Sequence, residues 1–225
     1  MSEALLEVRG LEVDFATQHG LLQAVRGLDF ALAEGEVLGV VGESGSGKSV
    51  TAHTLLGLLP GNGRVTGGRI LYRGDDVLAM PQQRLRSYRG GEVSIIFQEP
   101  GRSFDPIYTI GRALEETLLI HRPQLSRQQI RERSLELLRE AHVPRPEERL
   151  DNFPHQFSGG LLQRVMIALA LASDPRVLIA DEPTTALDVT IQAQILDLML
   201  ELKDKRNLAI LFISHNLALV AGIAD

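Results

Sequence analysis

One stretch of the chain has the residue types and the spacing of a phosphate-binding loop. Its pattern, G-x-x-x-x-G-K-S, is carried by Gly42-Glu43-Ser44-Gly45-Ser46-Gly47-Lys48-Ser49. An apolar run at residues 37–41 leads into it, and residues 50–56 read as a helix. The glycines let backbone N–H groups converge on an anion, and the helix N-terminus adds unpaired donors and a positive dipole end. The stretch predicts a triphosphate site in which Lys48 reaches the outer phosphates and Ser49 ligates Mg²⁺.

Two carboxylates follow a second apolar strand. Asp181 and Glu182 come directly after residues 177–180, a short apolar run that is typical of a buried parallel strand. Because ligands of a parallel α/β sheet bind beyond the carboxyl ends of its strands, we expect both side chains beside the phosphate loop. Asp181 is suited to hold Mg²⁺ through water, and Glu182 to accept a proton from an attacking water. Without the phosphate loop, a carboxylate that caps the next segment would be the simpler interpretation.

Three further features leave alternatives open. Ser158-Gly159-Gly160 opens a predicted helix and is either an ordinary cap or half of a site shared with another molecule. His215 follows a predicted strand at the same sheet edge and can hydrogen-bond a γ-phosphate, although a lone histidine is more often structural. Phe15, near the end of the first predicted strand, is by itself a packed strand residue.

Composition restricts the class of protein. The chain has 225 residues, of which 44% are hydrophobic and 23% charged, and this indicates a globular protein with a sizeable core. No apolar run has the length of a membrane span, and the first residues lack the pattern of a signal peptide. The sequence contains no cysteine, which excludes disulfides. A net charge of -6 without any basic block argues against a nucleic-acid binder.

The elements that must position these groups alternate between strands and helices. Residues 5–15 and 22–32 flank a turn and predict an antiparallel pair. Further strands are predicted at 37–41, 65–72, 93–97, 177–180 and 209–213, and helices at 50–56, 81–88, 110–141, 161–172, 190–203 and 216–224. The first helix is expected to end near Leu59-Pro60-Gly61, and residues 143–154 to form a loop. This order predicts an α/β protein whose sheet is covered on both faces.

Taken together and in this order, the motifs resemble those of the nucleotide-binding subunit of an ATP-binding cassette (ABC) transporter. The resemblance covers essentially the whole chain. The matching positions are residues 42–49 for the Walker A motif, Gln98 for the Q-loop, Ser158-Gly159-Gly160 for the signature, Asp181 and Glu182 for the Walker B motif with its catalytic glutamate, Asp188 for the D-loop, His215 for the switch histidine and Phe15 for the adenine-stacking aromatic. The resemblance implies ATP and Mg²⁺ as cofactors. It assigns catalysis to Glu182, His215 and Gln98, metal contacts to Ser49, Gln98 and Asp181, and nucleotide contacts to the remaining positions.

The resemblance also implies an architecture and partners. It implies a P-loop NTPase core with a parallel-sheet centre, an N-terminal antiparallel β region and a helical signature subdomain at about residues 104–172, all within a single domain. Phe-Gln-Glu-Pro at 97–100 and Asp-Glu-Pro-Thr-Thr-Ala-Leu-Asp at 181–188 are similar to the oligopeptide, dipeptide and nickel importer branch. Such a subunit works at the cytoplasmic face of the inner membrane as a peripheral protein. Its partners are a second ATP-binding subunit, identical or paralogous, transmembrane permease subunits and, indirectly, an extracytoplasmic solute-binding protein, with no nucleic acid.

Two departures from the family pattern stand beside this resemblance. Leu161 and Leu162 occupy the positions where the signature usually continues with Gln and a basic residue. The chain also ends soon after His215, where family members continue, so we expect the C-terminal part of the family fold to be missing. A soluble ABC ATPase acting on nucleic acid or ribosomes is the alternative, and it would call for long insertions or basic tracts. A subunit that binds ATP without turnover is a third possibility, against which Glu182 and His215 both argue.

Overall fold

A computed structural model describes residues 4–185 and 187–224 of the chain. The strands are β1 (Ala4–Thr17), β2 (Gly20–Ala33), β3 (Val37–Val41), β4 (Gly63–Tyr72), β5 (Asp75–Asp76), β6 (Val93–Ile96), β7 (Val177–Asp181) and β8 (Ala209–Ser214). The α-helices are α1 (Lys48–Leu55), α2 (Gln82–Tyr88), α3 (Pro100–Ser103), α4 (Ile110–His121), α5 (Arg127–Glu140), α6 (Pro146–Arg149), α7 (Gly159–Ala170), α8 (Val189–Arg206) and α9 (Leu217–Ala221). Single 3₁₀ turns lie at Val77–Ala79 and Pro154–Gln156. Within these described ranges, no helix has both the length and the apolar character of a membrane span.

The N-terminal strands form an antiparallel sheet in the order β2-β1-β4-β5. Strands β1 and β2 are a hairpin in which Leu6 pairs with Leu32 and Phe15 with Leu22. The predicted antiparallel pair is therefore confirmed. Strand β1 also pairs with β4, where Phe15 lies opposite Gly63, so the end of β1 is held from both sides.

The second sheet is parallel, in the order β3-β8-β7-β6. Its register pairs Val41 with Ser214 and Asp181 with Ile213. Ile96 pairs with Ala180, so all four strands reach their carboxyl ends at the same edge. The residues that follow these ends are the phosphate loop, Glu182, His215 and Gln98. Strand register alone therefore brings together groups that are widely separated in the sequence.

Alternate side chains of the parallel strands enter two hydrophobic cores. One core contains Val177, Ile179, Leu211 and Ile213 together with α1 and the antiparallel sheet. The other contains Leu178, Ala180, Ile210 and Phe212 together with α7 and α8. All eight side chains are at most 1% exposed. The predicted α/β class, with a central parallel sheet covered on both faces, is confirmed.

Helix α1 ends earlier than the sequence predicts. Its last residue is Leu55, whereas the prediction placed the end near Pro60-Gly61. Gly57 has a φ of 62°, a left-handed conformation that glycine adopts without steric cost. The amide of Gly57 donates to the carbonyl of Thr54 (2.8 Å), and that of Leu58 donates to the carbonyl of His53 (2.8 Å). The chain thus turns away at Gly57, in a glycine-terminated helix end, before the proline is reached.

The predicted helical region 110–141 consists of two helices. Ser126 caps α5 in a capping box with Gln129. The predicted loop 143–154 is wrong in part, because α6 forms one helical turn there with Pro146 at its first position, where a missing N–H costs nothing. Helices α4, α5 and α7 pack on one another through buried apolar side chains. These include Leu114, Leu118, Ile130, Leu138 and Val165. The extent of a helical subdomain, about 104–172, stays a prediction.

Candidate functional site

The phosphate loop connects β3 directly to α1. Gly47 is the N-cap of α1 and has a φ of 92°. A Cβ at this position would lie 2.4 Å from the carbonyl oxygen of Ala24 on β2, so the backbone conformation and the packing both demand glycine. The helix starts at once, with the amide of Thr51 donating to the carbonyl of Gly47 (2.8 Å). The unpaired amides of the helix N-terminus therefore open onto the loop.

Lys48 is the first residue of α1 and its side chain lies across the loop. The Nζ atom donates to the carbonyls of Gly42 (2.7 Å) and Glu43 (2.8 Å). It also lies 3.8 Å from Oε1 of Glu182. Lys48 is buried at 8% exposure, so its charge acts in a medium that screens less than water does. The ammonium thus lies between the loop and the carboxylate of Glu182.

Asp181 ends β7 and is 3% exposed. Burial and the neighbouring Glu182 carboxylate raise the pKa of its carboxyl, and the net shift is upward although a hydrogen bond from Ser49 and the nearby His53 and Lys48 act in the opposite direction. Among the described residues, its Oδ1 atom has no hydrogen-bond partner. A buried carboxylate oxygen without a donor is costly, and a hard cation is a natural partner for it. Asp181 and the Ser49 hydroxyl therefore form an oxygen pair that fits Mg²⁺.

The carboxylate of Glu182 is held by side chains from several elements. Its Oε2 atom accepts hydrogen bonds from Thr185 Oγ1 (2.8 Å) and Gln98 Nε2 (3.3 Å), and lies 2.9 Å from Nδ1 of His215. Burial alone would raise the pKa of Glu182, but the hydrogen bonds from Thr185 and His215 and the charge of Lys48 outweigh it, and the net shift is downward. Glu182 is therefore ionised at neutral pH, as a general base must be.

Lys48, Glu182 and the side chains that hold Glu182 line one cavity of about 830 Å³, whereas the buried Asp181 is not part of its lining. It brings together most of the predicted residues: Phe15, Glu43, Ser44, Gly45, Gly47, Lys48, Ser49, Gln98, Glu182 and His215. The ring of Phe15 sits so close over Gly63 that a Cβ there would come within 2.7 Å of its Cε1 atom. Gly42 and Ser46 instead line a neighbouring cavity of about 490 Å³ on the β2 side of the loop. The volume of the main cavity is in the range of small-molecule sites.

The residues predicted to form the signature do not line the main cavity. Ser158-Gly159-Gly160, Leu161 and Asp188 line a separate cavity of about 670 Å³. Within the described part of the chain, its lining has no residue in common with the main cavity. Among the described residues, Ser158 is the N-cap of α7 but its side chain makes no capping hydrogen bond, whereas the Asp188 carboxylate caps α8 by accepting from the amide of Ile191 (3.0 Å). The structure thus divides the predicted nucleotide contacts between two surfaces.

Sequence reasoning missed several residues that line the main cavity, among them Thr185 and residues 22–24. Thr185 donates to Glu182, and residues 22–24 of β2 form part of the wall. A signal for Thr185 was available, since it is a hydroxyl residue just beyond the strand-end carboxylates. No comparable signal marks residues 22–24, because their place depends on how the antiparallel sheet packs against the phosphate loop.

Comparison with known proteins agrees with this geometry. A dipeptide transport ATP-binding protein of Lactococcus lactis subsp. cremoris is 47% identical over 222 residues, 99% of this chain and 64% of that protein. An oligopeptide transport ATP-binding protein of Bacillus subtilis is 48% identical over 222 residues, 98% of this chain and 62% of that protein. A dimeric ATP-binding cassette solved in a post-hydrolysis state with ADP and Pi superposes with a TM-score of 0.83 at 26% identity, covering 95% of this chain and 89% of that one.

A parallel sheet with a phosphate loop and two carboxylates at one edge defines a P-loop nucleotide-binding fold. The ABC transporter family model matches residues 25–185, and the chain belongs to that family. The resemblance inferred from the motifs is therefore confirmed. The chain spans less than two thirds of the length of the two transport relatives named above.

Proposed function

We propose that this chain is the ATP-binding and ATP-hydrolysing part of an ABC importer that energises peptide uptake. The observation that carries the proposal is the main cavity, in which a phosphate loop, a strand-end carboxylate base and a polar residue from each neighbouring strand converge. The names of the two relatives, a dipeptide and an oligopeptide transport protein, favour peptides over nickel and over an action on nucleic acid.

The roles within the cavity follow from chemistry. The loop amides and Lys48 bind the β- and γ-phosphates, and Phe15 stacks on the adenine at the far end of the cavity. Glu182, ionised and close to Lys48, accepts a proton from the attacking water. His215 and Gln98 contact the γ-phosphate region from the neighbouring strand ends. When bound, Mg²⁺ neutralises charge on the β- and γ-oxygens.

The metal site would be completed by the nucleotide. Among the described residues, no group of three or more His, Cys, Asp or Glu side chains is arranged to hold a metal. Ser49 offers a hydroxyl and Asp181 a buried unpaired carboxylate oxygen, and Gln98 supplies an amide oxygen at the cavity. Mg²⁺ characteristically keeps few protein ligands and takes the rest from phosphates and water.

The separate signature cavity leads to a proposal about partners. We infer that Ser158-Gly159-Gly160 and Asp188 contact the nucleotide held by the phosphate loop of a second ATP-binding subunit, identical or paralogous. This inference rests on the unpaired α7 N-terminus and on the separation of the two cavities. In the same scheme, this chain is a peripheral protein at the inner face of the membrane, and its ATP hydrolysis drives the permease subunits. A solute-binding protein on the outer side delivers the cargo.

A binding and turnover assay tests the core of the proposal. Lys48→Ala removes a charge-assisted contact worth about 1.5–3 kcal/mol, so MgATP affinity should fall about 10- to 150-fold. Glu182→Gln keeps the shape but removes the base, so it should retain MgATP binding and lose hydrolysis. Lys205→Ala removes a lysine charge outside the cavity and is the matched control, expected to behave as the parent.

Fluorescence titration with a labelled ATP analogue and phosphate release in the natural protein give both readouts. Unchanged affinity in Lys48→Ala would refute the phosphate-loop assignment. Parental hydrolysis by Glu182→Gln would mean that Glu182 is only a capping carboxylate at the end of β7.

A further inference from the structure

Four groups contact or face the carboxylate of Glu182. Its Oε2 atom lies 2.8 Å from Thr185 Oγ1, 2.9 Å from His215 Nδ1 and 3.3 Å from Gln98 Nε2. Its Oε1 atom lies 3.8 Å from Lys48 Nζ. Three of the four come from other elements: Lys48 from α1, Gln98 from the end of β6 and His215 from the end of β8. Each of these three also has a proposed contact with nucleotide or metal, and therefore a competing partner when the site is filled.

Thr185 differs from these groups because its position is fixed locally. It lies in the turn that follows Glu182, and its own amide donates to the Glu182 carbonyl (3.3 Å). The carbonyl of the preceding residue, Thr184, accepts from Leu187 N (3.1 Å) and from Gln192 Nε2 of α8 (2.9 Å), which ties the turn to the helix. Glu182 itself has a φ of 46°, a left-handed conformation that is uncommon for a residue other than glycine. The hydroxyl and the carboxylate thus belong to the same hydrogen-bonded turn.

We propose that Thr185 is a positioning residue, whose hydroxyl orients the Glu182 carboxylate while Lys48, Gln98 and His215 turn to the nucleotide. The proposal rests on the proposed function. In the filled site the other three donors are shared with phosphate, and the Thr185 hydrogen bond keeps the carboxylate from rotating about its side-chain bonds. Its Oε2 atom stays anchored, and Oε1 is presented to water.

The same hydrogen bond favours the ionised form of Glu182. A donor to a carboxylate lowers its pKa, and Thr185 acts in this direction on Glu182. The other charged or titratable groups that face Glu182 are Lys48 and His215, which also lower the pKa, and Asp181, which repels its charge.

The test compares Thr185→Val, which has nearly the same shape without the hydroxyl, with Thr185→Ser, which keeps it. In the natural protein with its partner subunits, Thr185→Val should lower kcat about tenfold and leave MgATP affinity within about twofold of the parent. Thr185→Ser should restore most of kcat. Thr185 is exposed, so neither change disturbs the core, and Thr185→Ala replaces the valine variant if that variant unfolds at a lower temperature.

Two results would overturn the proposal. One is a Thr185→Val enzyme with parental kcat, and the other is a Thr185→Ser enzyme as impaired as the valine variant, which would place the effect in the methyl group. Glu182→Gln measured in the same assay separates the two levels of inference. If it is inactive while Thr185→Val is normal, only the role of Thr185 fails, and if it turns over at the parental rate, the proposed function fails as well.

Discussion

The contact between Gly160 and α8 gives a prediction whose size can be worked from the structure. A Cβ at Gly160 would lie 2.5 Å from Cγ2 of Ile191, far inside van der Waals contact. Ile191 is β-branched, and it packs against the core between α7 and α8, so this methyl group cannot swing away easily. The neighbouring Gly159 would place its Cβ 3.5 Å from Leu187 Cδ2, an ordinary contact distance. Gly159→Ala is therefore a matched control within the same helical turn.

Gly160→Ala should destabilise the protein relative to Gly159→Ala by about 1–3 kcal/mol, the usual cost of overpacking. Both substitutions gain similar helix propensity, so that contribution cancels in the comparison. One kcal/mol shifts the unfolding temperature by about 2–4 °C in a chain of about this length. We therefore expect Gly160→Ala to unfold about 2–12 °C below Gly159→Ala in calorimetry without nucleotide, a condition that excludes effects on binding.

A double-mutant cycle identifies the source of this difference. Ile191→Ala removes the methyl group that the new Cβ would meet, so in its background Gly160→Ala should lose most of its extra cost. Equal unfolding temperatures for the two alanine variants would refute the packing argument. A gap that persists in the Ile191→Ala background would show that the cost has another origin.

Two further predictions concern pH and the shared site. Burial would raise the pKa of Glu140, but a hydrogen bond from Arg206 and the charges of Arg206, Lys205 and Arg133 lower it below 4.5. The ionised carboxylate therefore stabilises the fold above that pH. This stabilisation is lost as the pH falls through the lowered pKa. The stability difference between the parent and Glu140→Gln, followed by urea unfolding, should shrink on acidification below about 4.5, and a constant difference would contradict the assignment. In the natural assembly, Ser158→Arg and Lys48→Ala chains should each be nearly inactive alone but regain up to about half of the parental turnover when mixed, because one intact composite site then forms. No recovery at any mixing ratio would indicate a site made by one chain, and with a paralogous partner the two changes belong in the two different subunits.

The parallel half of the fold could be predicted from sequence because its signals are local and strong. Residues 177–180 and 209–213 are continuous apolar runs, and each is followed at once by polar residues that have a chemical use. From strands of this kind in a parallel sheet, the meeting of Lys48, Glu182 and His215 at one edge follows without further information. The observed strand register, in which Val41 pairs with Ser214 and Asp181 with Ile213, places the strand ends side by side as this reasoning expects.

The features that the sequence did not predict depend on competing local signals or on tertiary packing. Helix α1 was predicted to run on to Pro60 because proline is a strong stop, but the left-handed Gly57 ends the helix first. Helix α6 was missed because its prolines suggested a loop, although Pro146 stands where a helix tolerates proline. The cavity wall at residues 22–24 comes from a different sheet, and a local pattern cannot report such a contact.

The two leucines that depart from the family signature have different consequences. Leu162 is 7% exposed and packs in the core beneath α7, so its apolar character is used in folding. Leu161 is only partly buried and lines the cavity of Ser158, the surface that we propose contacts a second subunit's nucleotide. The backbone amides at the start of α7 do not depend on either side chain, so the anion-binding end of this helix is kept. If a polar contact is lost in the proposed shared site, it is therefore lost at position 161. At position 162 the leucine adds buried apolar area instead, which favours folding.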